Sequence, residues 1–355
     1  MDSQPQDLRM AEGDLYSMRN LICKQPHSFV MQQTDLPVPK EGEALIRIRT
    51  IGVCGTDYHA FRGKQPYFSY PRILGHEIAG EIAGLEQAPA SGLEIGDQVT
   101  IMPYLSCGQC IACRSAKPNA CVSLEVLGVH ADGAMREYMT VPVDYIVKTE
   151  GMTWNQIAII EPLSIGLHAV NRAGITSGEQ VLVIGAGPIG LAVMKFAKLA
   201  GATVIAMDTN KMRLKYCEEW AKVDKVIEAS EHAVEDLALA TDGAYPTVVI
   251  DATGNAQSMA STFGYAAHGG RIVYVSLVQA DIFFSDPEFH KKELTLLGSR
   301  AATREEFQFV IQGLKSGSID ADSYITHRAP FDGAIDAFGN WMNPDSGVIK
   351  AVIEL

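Results

Sequence analysis

Four cysteines stand at Cys107, Cys110, Cys113 and Cys121, a C-x2-C-x2-C-x7-C run within a polar loop. Two-residue gaps let a loop wrap a tetrahedral ion, and four sulfurs close its shell against water. Such a shell staples structure and does no catalysis, so the spacing predicts a structural zinc in a lobe near residues 103–122. An iron–sulfur cluster fits less well, because the seven-residue gap and the missing Cys-Pro partner depart from the usual runs. The total of seven cysteines is odd and does not read as a secreted disulfide framework. Cys23 and Cys217 fall in strand-like and helix-like contexts and read as packing residues.

A second set of donors is scattered along the chain. Gly52-Val53-Cys54-Gly55-Thr56-Asp57-Tyr58-His59 follows a predicted strand, and Gly75-His76-Glu77 comes 22 residues after Cys54. Glu161-Pro162-Leu163-Ser164 lies where the chain changes texture. One thiolate, one imidazole and one or two carboxylates can make an open zinc site with room for substrate. Each residue also has a plainer reading. Cys54 could be a small core residue, His76 a hydrogen-bonded core histidine, Glu77 a surface acid and Glu161 a charge at a helix start. Spacing alone leaves both readings open.

The third chemical stretch runs from Val181 to Asp208. Val181 to Ile184 is an apolar run suited to a buried parallel strand, and Gly185-Ala186-Gly187-Pro188-Ile189-Gly190 follows it. In a G-x-G-x-x-G turn, Gly185 allows the tight bend and Gly187 lets backbone approach a pyrophosphate. Gly190 lets the helix pack closely on the strand. Pro188 suits a first helical turn, and the free N–H groups there favour phosphate. Asp208, 18 residues past Gly190, ends a second strand and can accept hydrogen bonds from both ribose hydroxyls. Its charge would repel the extra phosphate of NADP, so NAD is the expected cofactor. Ile189 in the turn and Arg213 on the next helix complete the expected cofactor set.

These residues need elements to hold them. Short strands are expected at Leu21 to Lys24, Ala44 to Ile51, Ile78 to Leu85, Gln98 to Ile101 and Arg136 to Thr140. Glycines between them suggest a rolled antiparallel β domain. After Trp154 strands near 181, 203, 225, 247 and 271 alternate with helices near 188–200, 210–221, 231–240 and 255–266. That rhythm predicts a doubly wound α/β sheet, completed by Leu294 to Leu297. A helix near 303–315, a strand near 324–331 and Val348 to Glu354 return to the β domain. The expected division is residues 18–158 with 298–355, and 159–297, after a disordered extension at 1–17.

Composition narrows the partners. The chain has 355 residues, 47% hydrophobic and 20% charged, enough for two cored domains. A net charge of −13 argues against nucleic acid or an anionic membrane as a main partner. The apolar run 181–194 is too short to span a bilayer, and the polar, acidic N-terminus has no apolar signal core. A cytoplasmic protein is expected.

Together G-V-C-G-T-D-x-H, G-H-E, C-x2-C-x2-C-x7-C, E-P-L-S and G-A-G-P-I-G, in this order, resemble the zinc-dependent medium-chain dehydrogenases. The resemblance covers the chain from Met18 onward. E-P-L-S stands closer to the polyol and sugar dehydrogenases. Tyr70 to Glu77, Leu127 to Gly133 and Ile325-Thr326-His327 look like the branch oxidising sugar acids such as L-gulonate or L-galactonate. Lys222-Val223 departs from it, since relatives often carry Gly-Ala there.

The resemblance implies a GroES-like catalytic domain beside a Rossmann domain, and two zinc ions per subunit. Cys54, His76 and Glu77 would hold the catalytic zinc, with Glu161 joining directly or through water. Zinc would lower the pKa of a bound secondary alcohol. Thr56 would take the proton from the resulting alkoxide site and His59 would pass it to solvent through the cofactor ribose. Hydride would go to NAD, leaving a ketone. Tyr58, Phe61, His130 and Arg300 are candidates for the substrate pocket, with Arg300 able to meet a carboxylate or the cofactor amide. Two other readings compete: an L-threonine 3-dehydrogenase, and a nucleotide-binding structural or regulatory protein without catalysis. A homodimer or homotetramer is expected, with strands at Arg271 to Ser276 and Leu294 to Gly298 extending a sheet across a two-fold axis.

Overall fold

The computed structural model describes residues 17–86 and 92–355. The expected extension at 1–17 therefore lies, but for Ser17, outside the described residues. The strand Glu43–Val53 organises the first half. It pairs antiparallel with Glu77–Leu85, with Tyr138–Pro142 and with the late strand Lys350–Glu354. Its alternating buried face carries Ala44, Ile46 and Ile48, the inward half of a period-two pattern that a register shift after Ile48 interrupts. Gln98–Ile101 and Ile146–Lys148 continue the sheet on one side, and Ile325–Pro330 closes the other, giving seven strands. The final pair is parallel, not antiparallel, because the helix Ala334–Trp341 carries the chain across between the two strands. Ser17–Gln25 and Ser28–Asp35 form a hairpin that meets Arg72–Ile73 in a separate small sheet. The strand expected from Arg136 begins two residues later, at Tyr138.

The second half is a six-stranded parallel sheet. Its order is Lys225–Glu228, Thr203–Asp208, Gln180–Ile184, Val248–Asp251, Arg271–Tyr274 and Thr295–Gly298. The connections reverse direction between Gln180–Ile184 and Val248–Asp251, so a crevice opens at the carboxyl ends of these two strands. Arg271–Tyr274 is bonded on both sides, which corrects the expectation that it could extend the sheet; only Thr295–Gly298 offers that edge. A further helix, Ile160–Ala173, follows the helix start that one reading of Glu161 allowed, although Pro162 and Gly166 lower the helical propensity of its first turns. It lies on Pro188–Leu199, and a Cβ at Gly166 would sit 2.4 Å from that of Ala192. Gly166 thus sets how near the two helices can approach. Among the described residues no helix is long and apolar enough to cross a membrane.

Candidate active site and metal centres

Cys54 leaves the end of Glu43–Val53 and caps the helix Gly55–Phe61. Asp57, fully buried, accepts the Cys54 N–H at 2.9 Å and the Gly75 N–H at 3.2 Å. One carboxylate therefore fixes the thiol-bearing turn against the turn that delivers His76. Glu77 opens the neighbouring strand and lies opposite Gly52 in register. A Cβ at Gly52 would fall 1.9 Å from Glu77 Oε2, so only glycine leaves the carboxylate its place. The result is a cluster in which the ligand atoms of Cys54, His76 and Glu77 all lie within 4.8 Å of one another.

The charges around this cluster are unusual for a buried place. Glu77 is 0% exposed and Lys350 1%. The Lys350 ammonium reaches both Glu77 oxygens at 2.5 and 2.7 Å and donates to the Val53 carbonyl at 3.1 Å. Glu161, also buried, accepts from the Tyr104 hydroxyl. Burial pushes the Glu161 carboxyl up to about 7, the His76 charge opposing and the Glu77 charge adding to it. Burial works against a charged His76, but Asp57, Cys54 and Glu161 outweigh it and raise that imidazole well above its ordinary value. His76 Nδ1 is buried without a partner among the described residues, 3.8 Å from Asp57 Oδ1 and so beyond hydrogen-bonding distance. Two carboxylates and a thiol thus face a single ammonium beside an unpaired imidazole nitrogen. That donor set fits a divalent cation. Glu161 is not within the 4.8 Å group.

Thr56 lies half-buried on the first turn after Cys54, and His59 follows on the solvent side. Desolvation of the His59 ring, then the positive Arg62 and Lys64, lowers its pKa and keeps it a neutral acceptor. Tyr58 packs against Phe338, its hydroxyl buried without a partner among the described residues. Phe61 stacks on Phe29 at 4.9 Å and meets His27 and Phe338 edge-on, packed against the β-domain core.

The four loop cysteines come together as their spacing predicts, with all four sulfurs within 4.8 Å. The Cys110–Cys113 and Cys107–Cys121 sulfurs are 3.5 Å apart. That is far longer than a disulfide and near the roughly 3.8 Å edge of a zinc–sulfur tetrahedron. Backbone N–H groups of Gln109 and Cys110 draw the Cys107 thiol down to about 6, and those of Cys113 and Val122 lower Cys110. Burial pushes Cys113 up to about 11. Cys23 and Cys217 are buried, and burial pushes each to about 12, as packing residues require.

The glycine turn has the form the sequence predicts. Gly185 has φ +95°, and a Cβ at Gly190 would lie 1.7 Å from the Gly185 carbonyl oxygen. In front of Gly187 there is open space. Pro188 and Ile189 begin the helix Pro188–Leu199. Asp208 accepts the Ala186 N–H at 2.6 Å and the Asn210 N–H at 2.8 Å, tying the turn to the next strand end. Asn210 caps the short helix on which Arg213 stands with its guanidinium unpaired among the described residues. Tyr324 links the two halves. Its hydroxyl donates to the Pro188 carbonyl at 2.9 Å, while burial and then the charges of Glu77 and Cys54 raise its pKa. The donor cluster is therefore within electrostatic reach of the first turn of the nucleotide helix.

Tyr104, Tyr324 and Lys350 matter here and went unnoticed in the sequence, and Asp57 stood in the Cys54 motif without a role. A lone lysine in the apolar run Val348 to Ile353 was a legible signal.

Known proteins agree with this architecture. Residues 40–151 match the alcohol dehydrogenase GroES-like domain and residues 188–316 the zinc-binding dehydrogenase family. L-galactonate-5-dehydrogenase of Escherichia coli K12 is 44% identical over 337 residues, 95% of this chain and 99% of that protein. An L-threonine 3-dehydrogenase of Bacillus licheniformis is 32% identical, over 84% of this chain and 88% of its own. A solved alcohol dehydrogenase from E. coli CFT073, complexed with NADH, superposes with a TM-score of 0.89 at 30% identity. That match covers 96% of this chain and 100% of the other. The chain belongs to the zinc-type medium-chain dehydrogenases, in the polyol and sugar-acid branch. It is an oxidoreductase of the zinc and nicotinamide type.

Proposed function

We propose that this dehydrogenase oxidises a secondary alcohol of a polyol, sugar or sugar acid to the ketone, with NAD as hydride acceptor. The observation that carries the reading is the convergence of Cys54, His76 and Glu77 within 4.8 Å, beside a helix bearing Thr56 and His59. A zinc held there, with Glu161 joining directly or through water, would supply the Lewis acidity that makes the alcohol proton labile at neutral pH. A second zinc in the four-cysteine lobe would be structural.

The chain's own groups do the rest. Asp57 holds the Cys54 and Gly75 backbones, so thiol and imidazole keep their spacing. Thr56 Oγ accepts the alcohol proton as it releases its own hydroxyl proton, which His59, kept neutral and facing solvent, takes up and passes on to water. Gly185 to Gly190 cradle the cofactor phosphates, and Asp208 receives the ribose hydroxyls. Each Asp208 oxygen keeps lone-pair capacity beyond the backbone N–H it already accepts. A 2′-phosphate would meet its charge, which supports NAD over NADP. The thiols of the lobe need a reducing compartment, which supports the cytoplasm. The free edge at Thr295–Gly298, with Leu296 exposed, supports a homodimer or homotetramer.

The test is NADH production by the zinc-loaded protein on polyols, aldoses, sugar acids, threonine and simple alcohols, with a chelator control. Chelator-sensitive turnover on a polyol or sugar acid is expected, and it should be far slower with NADP. Best activity on threonine would move the assignment to L-threonine 3-dehydrogenase, which the greater identity to the galactonate enzyme disfavours. Silence with NAD still bound would point to a non-catalytic role. Thr56→Val should lower kcat by about 10²- to 10⁴-fold while NAD affinity stays unchanged.

A further inference from the structure

The short helix Ala321–Tyr324 leads into Ile325–Pro330, an edge strand of the seven-stranded sheet, yet it is fastened to the nucleotide half. Asp320 caps it, accepting the Asp322 N–H at 3.0 Å and the Ser323 N–H at 3.3 Å. The Asp320 carbonyl accepts the indole N–H of Trp220 at 2.9 Å, from the turn Cys217–Ala221. One turn on, the Tyr324 hydroxyl donates to the Pro188 carbonyl at 2.9 Å. The rings of Trp220 and Tyr324 lie 4.9 Å apart between centroids, and Tyr324 is wholly buried. A buried phenol is disfavoured until it finds an acceptor, and this one finds it in the other half of the molecule. The Pro188 carbonyl has no need of it, since helical geometry gives that oxygen the N–H one turn ahead. Phenylalanine would fill the same space and keep the ring contact. The hydroxyl therefore adds a tie between the halves, not cohesion within either.

Both ends of the tie lead to groups the reaction needs. Pro188 opens the helix behind the Gly185 to Gly190 turn, with open space in front of Gly187. Tyr324 precedes Ile325, which pairs in register with Lys350. Lys350 holds both oxygens of Glu77 and the carbonyl of Val53, the residue before Cys54. A short path thus runs from the thiol and the carboxylate, through Lys350 and Tyr324, to the first turn of the nucleotide helix.

We propose that Tyr324 is a positioning residue for hydride transfer, its hydroxyl and Trp220 fixing the nucleotide helix against the Cys54, His76 and Glu77 cluster. This rests on the dehydrogenase reading above. In that reaction the C–H electron pair of the alcohol moves as hydride to C4 of the nicotinamide, NAD becomes NADH, and the hydroxyl proton leaves by way of Thr56. The two carbons are presented from opposite halves of the molecule, the alcohol at the donor cluster and the nicotinamide from the glycine turn. Small displacements between them cost rate steeply. A bond that sets this spacing acts on the transfer step and not on cofactor affinity.

The experiment mixes the zinc-loaded protein–NADH complex in a single turnover with the ketone formed from the fastest substrate of the panel above. Repeating it with NADH deuterated at the transferred position identifies the hydride step. In Tyr324→Phe that isotope-sensitive step should slow about three- to tenfold, as for one lost hydrogen bond, with the calorimetric Kd for NADH unchanged. Trp220→Phe keeps an aromatic ring, loses the indole N–H, and should slow the same step. The double variant should lose less than the product of the two single losses. General loosening would instead weaken NADH binding and the transfer step together. Peptide hydrogen exchange supplies a readout that needs no substrate. NAD should slow exchange in Pro188–Leu199 and, through the tie, in Ile325–Pro330, whereas in Tyr324→Phe only the first should respond. An unchanged hydride step, a loss shared with NADH affinity, or no response of Ile325–Pro330 in the wild type would overturn the proposal. Absence of turnover on every substrate would sink the dehydrogenase reading, and the exchange measurement would still decide the tie.

Discussion

Removing the Lys350 ammonium leaves Glu77 buried with no counter-charge from the chain. Lys350→Met should therefore destabilise the metal-free protein by about 3–5 kcal/mol, read from urea unfolding, and added zinc should recover part of the loss. Gly52→Ala acts on the same carboxylate by volume. Its methyl must displace Glu77, so zinc bound after dialysis should fall toward one ion per subunit while the four-cysteine site stays filled. Glu306 gives a prediction with pH. Burial alone would raise its pKa, but His168, the Thr303 N–H and Asn171 outweigh it and hold the carboxyl below the usual 4.5. A depressed native pKa stabilises above the unfolded value and is lost as pH falls through the native one. Thermal melts should show the advantage of wild type over Glu306→Gln constant above about pH 5 and shrinking below the usual glutamate range. Cys54, His76 and Glu77 were legible through the resemblance of their motifs, since spacing alone left each a plainer reading. Tyr104 and Lys350 were not, because each acts on a residue far along the chain, and Asp57 shows only by its place in the Cys54 motif, not by its second bond to the Gly75 turn.

At the scale of elements, the helix that starts at Lys211 ends in a wide turn, Cys217–Ala221, closed by Lys222 at φ +59°. A side chain in this left-handed region costs about 1 kcal/mol that glycine avoids. Lys222→Gly should raise stability by about that much in chemical denaturation. Gly166→Val should cost about 1–3 kcal/mol by forcing apart the helices Ile160–Ala173 and Pro188–Leu199. Strands and nucleotide-domain helices were readable from short apolar runs bounded by turn residues and from their alternation along the chain. Ile160–Ala173 was less so, since Pro162 and Gly166 lower its helical propensity even though Glu161, Ser164, His168 and Asn171 recur along one face. Nor could local pattern reveal that Ile325–Pro330 runs parallel to its neighbour, a matter of the path taken between them.

For the whole molecule, a self-association across Thr295–Gly298 predicts that Leu296→Lys lowers the mass measured by light scattering, with the fold retained by circular dichroism. An unchanged mass would place any interface elsewhere. The strand Lys350–Glu354 stands between Glu43–Val53 and Ile325–Pro330, although some 300 residues separate it in sequence from the first of these. During synthesis on the ribosome, Cys54, His76 and Glu77 emerge early, while the ammonium that neutralises Glu77 emerges only after the entire nucleotide sheet. A nascent chain therefore holds an unbalanced cluster of donors until its last strand is inserted. Metal captured by the growing chain would meet a half-built cage, and faithful loading is left to the finished polypeptide.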